Sequence, residues 1–135
     1  MVRRTERAGL LLTLAGMAVA ATSVRHTAQH VTDESYRAPG VRHGAGHVQY
    51  HMARETLVTI GAAGTLALGL AAGPKRTRAV WRGMASAVAG FAAGMWSGGP
   101  TTGSWAPNRA ALAIHLVSTT ALSAGVLLLR PEEQQ

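Results

Sequence analysis

Histidine is the residue of this chain best suited to chemistry. Five of its six copies, His26, His30, His43, His47 and His51, fall between Arg25 and Glu55. Their spacing repeats in fours: His26 with His30, then His43, His47 and His51, with Glu55 at the next fourth position. Residues four apart share one face of a helix, so His47, His51 and Glu55 form a stripe if the second apolar segment begins early. Glycines at 44 and 46 argue against helix ahead of it. Neutral imidazoles with a carboxylate suit zinc, copper or non-haem iron, and His43, His47 and His51 are the candidate ligands for such a divalent metal. The same groups suit proton transfer, because histidine titrates near neutral pH and a carboxylate can orient it or take the proton. On that reading His51 or His115 is the general acid or base, Glu55 orients it, and Tyr50 donates a hydrogen bond. Tyr50 and Arg54, also four apart, are candidates to hold the polar head of a lipophilic ligand. The plain alternative is that the loop histidines are only solvated and that His115 hydrogen-bonds a neighbouring helix.

The elements that must position these groups are four uncharged stretches, 8–24, 56–73, 83–98 and 110–129, which take up about half of the 135 residues. A spanning helix needs roughly 20 apolar residues, with about 17 as the minimum. The third stretch reaches that length when it starts at 79, with Arg82 extending to the interface from the helix end. Trp81 and Trp96, about 22 Å apart at helical rise, suit the two rims of one span. The sequence therefore predicts an all-α fold: a four-transmembrane-helix bundle forming one integral membrane domain over residues 1–135. Its spans are 8–24, 56–73, 79–98 and 110–129, and a histidine-rich outer loop covers 25–55. A soluble domain with very apolar core helices would have little polar surface to show to water.

Charge orients the chain. With the N-terminus inside, the inner segments hold Arg3, Arg4, Arg7, Lys75, Arg76, Arg78, Arg82 and Arg130. The outer segments hold Arg25, Arg37, Arg42, Arg54 and Arg109. The short basic hairpin around 74–82 weighs most in the positive-inside rule, which puts both termini in the cytoplasm of a multi-pass cell-membrane protein. The formal net charge of +7 then meets anionic lipid head groups and calls for no nucleic-acid partner. The first span also reads as a signal peptide with small residues at 18–20 ahead of a cleavage site, although its retention is the favoured reading. The chain has no cysteine, which removes disulfides and thiolate metal sites.

His115, six residues into the last span, falls on the same side as the loop histidines, with Ser118 and Thr119 one turn deeper. An ionisable side chain within a span is a functional candidate by default. Small residues say how the helices meet, because close backbone approach drives association in lipid. Gly69 and Gly73, and Gly90 and Gly94 with Ser86, form rows that predict spans two and three as a close-packed pair, with Gly61, Gly64, Ala89 and Ala93 adding to the smooth faces.

The segment His47-Val48-Gln49-Tyr50-His51 resembles the H-x-x-aromatic-H stretch at the start of the second span in small bacterial four-helix membrane proteins of DoxX-like architecture. Here Gly44-Ala45-Gly46 stands where that group carries a tryptophan and a proline. The resemblance implies a fold more than an activity. The functional expectation is a small membrane protein that binds or transforms a lipophilic small molecule at an outer-leaflet His/Glu site, as an isomerase or cyclase if it is an enzyme. The alternatives are a non-catalytic accessory subunit of a larger membrane complex or homo-oligomer, and a histidine-rich metal-binding membrane protein.

Overall fold

Four long helices account for most of the chain: α1 (Arg4–His30), α2 (His47–Ala71), α3 (Arg78–Trp96) and, after a single short turn of helix α4 (Gly98–Thr102), α5 (Arg109–Leu128). They come from a computed structural model that describes residues 4–40 and 42–132, so Arg3 and the last three residues of the tail lie outside it. No strand occurs among the described residues. The stops and starts follow local chemistry. Gly73 turns α2 off with a φ of +51°, a conformation that glycine adopts without strain, and Pro74 follows it. The Thr77 hydroxyl then accepts the Val80 amide at 3.2 Å to start α3, and the Asn108 side chain accepts the Ala111 amide at 2.8 Å to start α5.

Each long helix runs antiparallel to the next, with α1 against α2 and α5, and α3 against α2 and α5. The closest pair is α1 with α5. The buried face of α1 is Gly9, Thr13, Gly16 and Ala20, at intervals of four, three and four. It meets Leu122, Gly125 and Leu129. A Cβ added at Gly9 would lie 2.9 Å from the Gly125 carbonyl oxygen, and one at Gly16 would lie 2.9 Å from the Leu122 amide nitrogen. The two backbones are therefore in contact, which no larger residue permits. Thr13 is fully buried between them, and its hydroxyl is paired there, donating to the Gly9 carbonyl at 2.8 Å.

Two indoles fasten α3 to α5. Trp81 donates its ring N–H to the Val126 carbonyl at 2.8 Å, and Trp96 donates to the Thr119 hydroxyl at 3.3 Å. At the end that holds both termini, Arg76 is 7% exposed. Its guanidinium donates to the Gly69 carbonyl near the end of α2 (2.9 Å) and to the Leu129 carbonyl at the end of α5 (3.2 Å), with Glu6 of α1 at 4.0 Å. A cation here satisfies the otherwise unpaired carbonyls of two helix C-termini.

Two expectations change at this level. About half of residues 25–55 is helix rather than loop: α1 continues to His30 and α2 begins at His47, which leaves a connection of 31–46 with one 3₁₀ turn at Glu34–Tyr36. Of the glycine rows assigned to α2 and α3, only Gly69 is packed, against the fully buried Met84 side chain; a Cβ at Gly61, Gly64, Gly90 or Gly94 would meet nothing within 4 Å. The close-packed seam lies instead between α1 and α5.

The core is apolar, built from Ala20, Leu66, Met84, Val88, Leu122, Val126 and Leu129. The outside is apolar as well: Leu11, Leu57, Val58, Leu68 and Leu127 are each more than 60% exposed. Among the described residues two helices, α1 and α5, are long and apolar enough to cross a membrane.

Candidate functional site

The first turns of α2 carry the histidine stripe. Gly44, at φ +94°, turns the connection, and Gly46 precedes the helix. Gln49, buried at 8% exposure, anchors that turn when its amide is assigned in the orientation that pairs both groups: the nitrogen then donates to the Ala45 carbonyl at 3.1 Å and the oxygen accepts the Arg37 amide at 3.2 Å. The anchored turn sets His43 beside α2, its ring centre 5.2 Å from that of His47. One helical turn on, the His47 and His51 rings meet edge to face, with their Nε2 atoms 3.2 Å apart. Tyr50 sits beside His51 with a ring separation of 5.3 Å. Of the stripe expected from spacing, His47 and His51 come together, because α2 begins at His47.

The other members sit elsewhere. Glu55 makes no hydrogen bond or ion pair among the described residues; it lies at the rim between helices with Ser23 and Thr27 of α1 and Met95 of α3. His115 packs edge to face against Trp96 at 5.9 Å, and its backbone carbonyl accepts the Thr119 hydroxyl at 2.7 Å. Its Nδ1 is buried without a partner among the described residues. No hydrogen bond or ring contact joins His115 to His47, His51 or Glu55 among those residues. His26 and His30 share the four-residue spacing of the stripe, but the His30 ring stacks on Tyr36 at 3.8 Å. Near it, the Ser35 hydroxyl and amide donate to the Asp33 carboxylate at 2.6 and 2.9 Å and hold its pKa below the usual aspartate value.

The chain matches no protein-family model, no curated protein and no solved structure. What the site does must be read from its geometry.

Spacing did not reveal a groove that opens between α2 and α3. The two helices touch at Gly69 and Met84 near the termini end and diverge toward the histidine end. The gap has a volume of about 490 Å³ and is lined by Val58, Ala62, Ala87, Gly90, Phe91 and Met95, among others, with Glu55, Thr59, Ser86 and Ser97 as its polar members. A second, almost wholly apolar cavity of about 260 Å³ lies on the other side of Thr59, Ala62, Ala87 and Phe91, extending to Met17 and Leu122. The side chains of Glu55, Thr59 and Ser86 make no hydrogen bond among the described residues, unlike Thr13, Thr56, Thr65, Ser118 and Thr119, which all donate to a carbonyl one turn back. The glycines at 90 and 94 were the available signal for this groove, with the opposite meaning: they make room instead of contact.

Proposed function

We propose that this chain is a multi-pass membrane protein with four spans and cytoplasmic termini, and that it holds a lipophilic small molecule in the α2/α3 groove with Glu55 at the outer mouth. The membrane reading is supported by an exterior that carries its leucines outward while Thr13, Ser118, Thr119 and Arg76 are buried. A water-soluble fold distributes these residue types the other way. The basic turn between α2 and α3, with Lys75 and Arg76, and the first turns of α3, with Arg78 and Arg82, support the orientation.

The observation that carries the ligand reading is the groove itself. A mostly apolar recess of a few hundred Å³ with a small number of free polar groups is the usual form of a small-molecule site. It runs about 16 Å along α3 from Ser86 to Ser97 at helical rise, which suits an elongated molecule. An ionised carboxylate only accepts hydrogen bonds, so Glu55 favours a head group that donates them or carries positive charge. If the molecule is transformed, Glu55 is the acid or base within reach of it, and the histidines of α2 stand above the mouth.

Native mass spectrometry of the full chain in mild detergent tests this. Wild type is expected to carry a co-purifying organic adduct that Gly90→Leu, which fills the groove, removes and that Glu55→Gln diminishes. A bare wild-type chain, or an adduct indifferent to both changes, sinks the proposal.

A second reading, an accessory subunit or oligomer, is favoured by one observation: Gly61 and Gly64 face outward on α2 with nothing near them. Such a surface suits a partner helix in lipid. It requires Gly61→Leu to abolish a complex seen by cross-linking in membranes, with Gly90→Leu as the comparison.

A further inference from the structure

We propose that His47 and His51 form a two-imidazole site for a borderline divalent cation such as Zn²⁺ or Cu²⁺. The argument is metric. Two nitrogens bound to zinc at 2.0–2.1 Å in tetrahedral geometry stand roughly 3.3–3.4 Å apart. The Nε2 atoms of His47 and His51 are 3.2 Å apart. Both belong to rings on the first two turns of α2, with His51 exposed and His47 half-buried, so a cation reaches them without any opening of the fold. No group of three or more metal-ligating side chains comes together among the described residues, and the His43 ring centre is 5.2 Å from that of His47, so the pair supplies two ligands and water the rest.

Without metal, the same approach is held by one ring donating Nε2–H to the lone pair of the other. On binding, the donor ring takes its Nδ1–H tautomer, which frees its Nε2 lone pair, and the two rings turn from their edge-to-face pairing so that both Nε2 lone pairs converge on the cation. Imidazole nitrogen prefers borderline ions to Mg²⁺ or Ca²⁺, and the order of affinities puts Cu²⁺ above Zn²⁺. The site is independent of the groove, since it uses neither Glu55 nor any residue of α3.

The chain contains its own control. His26 and His30 have the same spacing on α1, but the ring of His30 is stacked on Tyr36. Calorimetric titration of ZnCl₂ into the full chain in detergent should show saturable one-to-one binding, weakened about tenfold or more by His47→Ala and equally by His51→Ala, and unchanged by His26→Ala. Alanine is the better helix former, so the variants keep α2, which circular dichroism checks. Independently of any variant, the electron paramagnetic resonance spectrum of one equivalent of Cu²⁺ on wild type should show coupling to two imidazole nitrogens. Absence of saturable Zn²⁺ binding, a His26→Ala variant as impaired as His51→Ala, or a copper spectrum without two-nitrogen coupling overturns the proposal.

Discussion

Alanine at Gly16 and alanine at Gly64 should differ in stability by about 2 kcal/mol, although both substitutions add one methyl group to a glycine inside a helix. At Gly16 the new Cβ would lie 2.8 Å from Leu122 Cγ and 2.9 Å from the Leu122 amide nitrogen. The side chain can swing aside, but the backbone nitrogen cannot. Restoring an ordinary separation of ~3.4 Å moves α1 and α5 apart by about 0.5 Å, which forfeits roughly a quarter of each contact of ~0.15 kcal/mol across the opened seam. Leu122 is 2% exposed. For a side chain so enclosed, some 50 atom pairs are affected, giving about 2 kcal/mol, within the usual range for overpacking. Exchanging glycine for alanine in a helix returns about 0.5–1 kcal/mol at either site, so this gain cancels in the comparison. At Gly64 nothing lies within 4 Å, and only the gain remains. Reversible unfolding of both variants in mixed micelles, followed by circular dichroism, measures the gap. Combining Gly16→Ala with Leu122→Ala should show only partial relief, because the amide nitrogen stays in place. Equal stabilities for Gly16→Ala and Gly64→Ala would refute the backbone contact between α1 and α5.

Arg76→Lys should cost about 2 kcal/mol in the same unfolding assay, because an ammonium cannot donate to the Gly69 and Leu129 carbonyls together and leaves one charge-assisted bond unmade, whereas Lys75→Ala at an exposed neighbour should be neutral. The Asp33 turn should respond to acid: a carboxyl whose pKa is lowered by folding stabilises the turn above the unfolded aspartate value of about 3.9, and loses that contribution as pH falls through the lowered pKa. The Ser35 amide resonance, followed by NMR from neutral pH downward, should shift with that midpoint, and a midpoint at or above the ordinary aspartate value contradicts the assignment.

The helices themselves could be read from the sequence because lipid-length apolar runs and the turn chemistry at Gly73-Pro74 and Asn108 act locally. The early start of α2 at His47 was also available, from the fourfold histidine spacing and the glycines ahead of it. The roles of like residues were not. Lys75, Arg76 and Arg78 are equivalent cations in a basic turn, yet Arg76 alone among them is buried, across the ends of α2 and α5. Trp81 and Trp96 have the spacing of membrane-rim residues and also bond into α5, so one pattern serves two ends.

Glycine carries the same ambiguity, and it decides the site. Gly9, Gly16 and Gly125 let backbones touch, while Gly90 and Gly94 leave a wall open. Which outcome follows depends on the partner helix. Where α5 presents Gly125 and a leucine ridge, α1 closes onto it; where α2 presents Glu55, Thr59 and Ala62, α3 has no ridge to receive and stands off. The tight α1/α5 seam and the indole hooks fix α3 from behind, so the groove is held open by packing on the far side of the molecule. Its carboxylate, without a partner among the described residues, thus occupies a position that the core does not need, and that is the physical ground for the proposal that it meets a ligand.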